Sequence, residues 1–251
     1  KNRLKRSVLL IGFDAEEKGL LGAKHFIKNP PVDLDKIITM INMDMIGGMK
    51  DSTVIVGGVG TSFSFEPLLD SLEKSQNIKI SMNKAGFGPS DHAAFYSENI
   101  PVLFFFSGFD NEYHTPNDTW KNINLKGTES IVNLVYDVVF HVNRTSSPPV
   151  FTESGPKQAQ TPAPKRFNVT LGIMPSYGSI EAGLEIDAIS RVDGPAAVAG
   201  IKPGDIITSI NGKGINDIYE YMERLRELKP GMTVPVVVIR EGKELVFRVS
   251  F

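Results

Sequence analysis

Cysteine is absent from this chain, which excludes a disulfide framework, a thiolate metal site and a cysteine nucleophile. No apolar run approaches the ~18 residues of a membrane-spanning helix, so no membrane span is expected. An excess of one charge is missing as well. Twenty-seven Lys and Arg face 29 Asp and Glu, for a net charge of -2. That balance argues against nucleic acid or an anionic membrane as a required partner. The chain does not start with Met, and its basic stretch 1–6 leads into an apolar run too short for a signal peptide. It therefore reads as a piece that begins inside something longer. What is present is an ordinary globular composition: 251 residues, 41% hydrophobic and 22% charged, enough for one or two domains with a sizeable core.

The composition changes once, over 145–165, which holds five of the 16 prolines with three Ser and three Thr. This is linker composition, semi-rigid where proline is dense. Before it, strands and helices alternate. Residues 7–13, 37–43 and 101–106 are continuous apolar runs, the mark of strands buried on both faces. Shorter strands are expected at 53–56 and 78–81, and helices at 20–27, 65–75 and 126–142. Such alternation points to an α/β fold with a mostly parallel sheet and helices on both faces. After the linker, 166–251 reads as a small β-rich module. Asn211-Gly212 and Glu241-Gly242 are hairpin turns between apolar runs, and 217–228 is its long helix.

Candidate chemistry collects where the buried strands end. Asp14, Glu16 and Glu17 follow the first run. Two adjacent carboxylates there can divide labour, one binding metal and one moving protons. Equally, Asp14 and Glu17 fit a capping box for the next helix. Asp44 ends the second run and is a rim ligand or a turn former. His114 sits in a polar loop after the buried run 101–106, where a His serves as a metal ligand or simply faces solvent. His92 opens a short helix near the same rim, while His25 and His141 lie within helices as structural or solvated residues. Ligands of open α/β sheets sit outside the carboxyl ends of the strands, so these separate positions are expected to meet at one rim. Glu, Asp and His without Cys suit a hydrolytic zinc, manganese or cobalt site.

Four strings in order make the residues recognisable: Phe13-Asp14-Ala15-Glu16-Glu17-Lys18-Gly19-Leu20-Leu21-Gly22, Asn42-Met43-Asp44-Met45-Ile46-Gly47, Ser90-Asp91-His92 with Phe95, and Tyr113-His114-Thr115 with Asp118-Thr119. This resembles the two-zinc aminopeptidase family, which includes bacterial leucyl aminopeptidases, glutamate carboxypeptidases and glutaminyl cyclases. The resemblance implies a three-layer α/β zinc-peptidase domain over 1–144 that hydrolyses N-terminal residues of peptides with a metal-activated water. It implies that Glu16 is general base and acid, that Glu17 and His114 ligate one metal, and that Asp44 ligates the other. Asp91 is implied as a support for substrate or ligands, and Tyr113 and Asp118 hold their motif positions. The cofactor implied is zinc, two ions per complete catalytic domain, with manganese or cobalt as substitutes. The family also uses a His and a bridging Asp upstream of the Glu-Glu pair, and residues 1–13 contain neither. The sheet is accordingly expected to be incomplete, to be finished by an upstream segment or another chain, and the fragment alone is expected to be inactive. The other reading is a non-catalytic peptide-binding protein on a degenerate peptidase scaffold.

The module at 166–251 resembles a PDZ domain of the bacterial type. The matching residues are Leu171-Gly172-Ile173-Met174, Gly194-Pro195-Ala196-Ala197-Val198-Ala199-Gly200, Ile201-Lys202-Pro203-Gly204-Asp205-Ile206-Ile207 and Ile210-Asn211-Gly212. Gly172 would let backbone N–H groups turn inward as a nest for a terminal carboxylate. Either an extended C-terminal peptide adds as a strand between it and helix 217–228, or the module only packs on the catalytic domain with its groove empty or self-occupied. Export, to a bacterial periplasm, cell surface or medium, is what the family resemblance implies.

Overall fold

A computed structural model describes residues 4–76, 78–108, 113, 116–157, 168–176, 183–216 and 218–251. Contacts divide the chain into two units, residues 1–107 with 122–161, and residues 108–121 with 162–251.

The first unit is a four-stranded sheet with helices on both faces. Its elements are α1 (Leu21–Lys28), β1 (Met40–Met43), β2 (Thr53–Gly57), α2 (Phe65–Ser75), β3 (Lys79–Met82), α3 (His92–Ser97), β4 (Val102–Phe106) and α4 (Leu125–Arg144). The strand order is β1-β4-β2-β3. The sheet is mostly parallel, as expected, with one reversal: β1 runs parallel to β4 and β2 to β3, while β2 and β4 are antiparallel. All five residues of β4 are buried, as its unbroken apolar run requires of a strand with neighbours on both sides. Alternation along β4 divides its side chains between two cores. Leu103 and Phe105 join Phe65, Leu69, Ile131 and Leu134 of α2 and α4, while Val102 joins Ala23, Phe95 and Tyr96 of α1 and α3. Apolar residues three and four apart put Phe65, Leu68 and Leu69 on one face of α2, and Ile131, Leu134, Val135, Val138 and Val142 on one face of α4. Asn124 caps α4 by accepting from the Gly127 N–H at 2.9 Å.

The expected first strand does not form. Residues 7–13 are in no strand of the described sheet, and Leu9 and Leu10 are 57% and 89% exposed. A continuous apolar run reports a need for burial, but a strand also needs a partner ladder, and β1 pairs with β4 only. The segment is held from its start. Arg6 donates from Nη1 to the carbonyls of Val142, Asn143 and Thr145 at 3.2, 2.7 and 2.9 Å. It thereby covers the last carbonyls of α4, which have no intrahelical donor and carry the negative end of the helix dipole.

The proline-rich stretch is a linker only in part. Residues 150–157 lie fixed on the first unit as a strap. Tyr96 Oη donates to Gly155 O at 2.7 Å and accepts from the Ser154 N–H at 2.9 Å. Ser154 Oγ donates to Lys84 O, and Ser97 Oγ donates to Lys157 O. Prolines keep such a segment extended but do not prevent its other N–H groups from docking.

The second unit contains β5 (Ile173–Pro175), β6 (Leu184–Ile189), α5 (Pro195–Ala199), β7 (Ile206–Ile210), β8 (Lys213–Gly214), α6 (Ile218–Glu227), β9 (Thr233–Arg240) and β10 (Lys243–Ser250). The sheet order is β10-β9-β7-β6-β5, with β8 paired to β7, and every pairing is antiparallel. Leu184, Ile186 and Ala188 of β6 are buried, as the alternating pattern anticipates. The hairpin turns hold as read. Asn211-Gly212 has φ of 51° and 75°, and Glu241-Gly242 has the same pair of values, the double positive φ of a type I′ turn.

Candidate functional site

The best-defined cluster lies at the carboxyl end of β1. Asp44 directly follows that strand and is anchored by its N–H donating to Phe105 O at 3.1 Å. Ser90 Oγ donates to Asp44 Oδ2 at 2.7 Å and accepts from Asn42 Nδ2 at 2.8 Å. Asn42 stands two residues before Asp44, so strand alternation sends both side chains the same way. The result is a relay, amide to hydroxyl to carboxylate, that fixes the rotation of the Asp44 carboxyl. Asp91 is buried beside it, and its Oδ1 has no hydrogen-bond partner among the described residues. Burial, and then the charge of Asp44, push the Asp91 carboxyl above its ordinary value. Two carboxylates brought together with one oxygen orphaned is the donor arrangement that a divalent cation satisfies.

His92 opens α3 and is 1% exposed. Its ring stacks on Phe104 at 4.5 Å, its Nδ1 lacks a partner among the described residues, and burial pulls its pKa down to about 3. It is therefore a neutral wall at physiological pH rather than a proton carrier.

Glu16 and Glu17 occupy a single 3-10 turn, Glu16–Lys18, entered through Ala15 at φ 54°. Neither this turn nor α1 has a side-chain cap at its start, so Asp14 and Glu17 do not form the capping box. The route by which the turn was expected at the rim is also corrected, because residues 7–13 are not a strand of the sheet. The turn is instead positioned by packing. Phe13 meets Phe26 and Phe95, each at 5.9 Å, and Gly22 N–H donates to Asp14 O at 3.0 Å. Phe13, three residues before Glu16, is thereby packed between α1 and α3, the helix that Ser90 and Asp91 precede. Among the described residues no three of His, Asp and Glu are grouped as a metal cage. His114 lies outside the described residues. Tyr113 is half-buried and Asp118 exposed, and both fall in the 108–121 segment that groups with the second unit.

Ser90 and Asn42 stand within the recognisable strings, but the strings themselves assign them no role. Asn42 was recoverable from its two-residue spacing to Asp44. Ser90 carried no such signal, since 46 residues separate it from the carboxylate it holds.

In the second unit, Gly172 adopts φ +77° at the turn before β5, where an added Cβ would lie 3.3 Å from Gly194 Cα. Leu171 is fully buried, and its carbonyl accepts from Ala196 N–H at 2.9 Å. Thr170 Oγ1 accepts from the Gly172 N–H at 3.1 Å, so one donor of this loop already has an internal oxygen.

Comparisons with known proteins bear on both units. Residues 1–139 match the profile of Peptidase family M28, and residues 185–251 match that of the PDZ domain. The serine endoprotease DegS of Salmonella typhimurium is 45% identical over 58 residues, 23% of this chain and 16% of DegS. A probable periplasmic serine endoprotease DegP-like of Bartonella henselae is 36% identical over 83 residues, 33% of this chain and 15% of that protein. The chain thus spans only about a sixth of these curated relatives. BSAP, a zinc aminopeptidase from Bacillus subtilis, superposes with 24% identity and a TM-score of 0.46, over 57% of this chain and 38% of BSAP. Since its profile covers more than half of the chain, the protein belongs to peptidase family M28, with a PDZ domain following at residues 185–251.

Proposed function

We propose that the first unit is the C-terminal part of a zinc-dependent aminopeptidase domain, extending to residue 144, and that the PDZ module beginning near residue 166 holds a peptide terminus. The observation that carries the first half is the Asp44 carboxylate, turned by Ser90 at 2.7 Å beside the buried carboxyl of Asp91. Glu17, Asp44 and His114 are the residues that would hold metal. Bound zinc would supply a Lewis acid that polarises a peptide carbonyl and acidifies water. Glu16 takes a proton from the attacking water as the new C–O bond forms, then returns it to the amine as the C–N bond breaks. Asp91, buried beside Asp44, supports the substrate or the ligands. Export is supported by the periplasmic name of one relative.

Residues 1–13 supply neither His nor Asp, so the 251-residue chain alone should hold metal weakly and turn over little. Zinc titration against a chromophoric chelator, alongside hydrolysis of aminoacyl-p-nitroanilides with added zinc, tests this. Zinc binding that is lost in Asp44→Asn, with negligible turnover, is expected. Binding that ignores Asp44 and Glu17 sinks the metal assignment, and brisk hydrolysis sinks the argument from absent ligands. In a chain assembled with the upstream ligands, Glu16→Gln should lower kcat by about 10²- to 10⁴-fold.

A further inference from the structure

Peptide addition to the PDZ module needs a strand with open main-chain groups, and among the described residues β5 is the edge strand of its sheet. Which groups it offers follows from two hydrogen bonds. Gly172 O accepts from Ser190 N–H at 3.0 Å, and Ser176 N–H donates to Glu185 O at 2.8 Å. Gly172 and Ser176 therefore face β6. The irregularity between Met174 and Pro175 is a residue added on the β6 side, because Met174 pairs with Ala188 and Pro175 with Ile186. The alternation along β5 itself is unbroken, and Ile173 and Pro175 face the open edge. Ile173 offers both N–H and C=O there. Pro175 offers only C=O, because proline has no N–H.

A peptide whose terminal carboxylate sits at the Gly172 turn runs antiparallel to β5. Its last residue pairs with Ile173, and its third residue from the end pairs with Pro175, two residues further along the ladder. Resting on the peptide-groove reading above, we infer that Pro175 is a specificity-determining residue that removes half of the second rung. The third carbonyl from the peptide's end meets no donor in this groove. Recognition is thereby concentrated on the terminal carboxylate and last side chain, and the groove suits short or variable C-terminal tails whose upstream backbone leaves the sheet early.

The test is a double-mutant cycle on the intact chain, using pentapeptides that carry each of the twenty residues at the C-terminus. The tightest binder is remade with an ester in place of the amide between its third and second residues from the end, which weakens that carbonyl as an acceptor. Fluorescence anisotropy should show less than a twofold loss from the ester with the wild-type chain. Pro175→Ala should bind the amide peptide about three- to tenfold more tightly, the worth of one hydrogen bond, and should lose that gain with the ester. Pro175→Val, a better strand former, serves as the second variant if alanine disturbs folding by circular dichroism. An ester penalty of fivefold or more with the wild-type chain overturns the inference without any variant, as does equal ester sensitivity in both chains. Failure of every pentapeptide to bind either chain would instead overturn the peptide-groove reading itself.

Discussion

Arg240→Met should strongly destabilise the second unit, and in a pH-dependent manner. Asp205 is 1% exposed, and Arg240 grips it with two bonds, Nε to Oδ1 at 2.6 Å and Nη2 to Oδ2 at 2.8 Å. Nη2 also donates to Gly200 O at 2.8 Å, and the guanidinium lies over Phe247 at 5.3 Å. Burial alone would raise the Asp205 carboxyl, but Arg240 and the Lys202 N–H outweigh it, so the native value lies below the ordinary one. Methionine keeps the aliphatic stem against Phe247 and removes the charge. Leaving a buried carboxylate without its partner costs about 3–5 kcal/mol. With a urea dependence of about 1–3 kcal/mol per M, the midpoint should fall by roughly 1–5 M at pH 7. In the wild-type protein the lowered carboxyl adds stability above its unfolded-state value, and this is lost as pH falls through the native value. In the variant only the Lys202 N–H still opposes burial, the native value rises, and protonation relieves the penalty as pH falls. The gap between the two proteins should therefore narrow from pH 7 to pH 3. Urea titrations followed by methyl resonances of Ile207 and Val238, both buried in this core, report this unit alone. A midpoint shift below about 0.3 M at pH 7, or an equal gap at both pH values, would refute the reasoning.

Two further changes probe the first unit. Ser90→Ala releases the Asp44 carboxyl, and loss of such an outer partner typically weakens metal binding about 10- to 100-fold; chelator competition should show that drop at unchanged circular dichroism, and unaltered zinc affinity would mean the hydroxyl does not orient a ligand. Tyr96→Phe keeps a fully buried ring but deletes the bonds to Gly155 O and Ser154 N–H, at about 1–3 kcal/mol. The Ser154 amide should then exchange with deuterium markedly faster, and protection equal to wild type would show that the strap is held by other contacts.

Several elements were legible in the chain itself because one local pattern determined each. The helix expected at 65–75 forms over those residues, since three apolar residues on one face demand it. The all-apolar run ending at Phe106 is the buried central strand β4, and Asn211-Gly212 turns as its backbone freedom permits. Asp44 at the end of β1 and Gly172 at its turn were likewise readable, because a strand end and a positive φ are properties of a few consecutive residues. The rest depended on partners remote in sequence. Residues 7–13 carry the composition of a buried strand, yet only a neighbouring ladder could make them one. The strap over Tyr96, the Arg6 cap on α4 and the grip of Arg240 on Asp205 each join residues that no periodicity relates. The same holds for Ser90 against Asp44. Composition and spacing state what each segment needs, whereas the tertiary structure decides which distant group meets that need, because hydrogen bonds and ion pairs depend on ångström-scale approach.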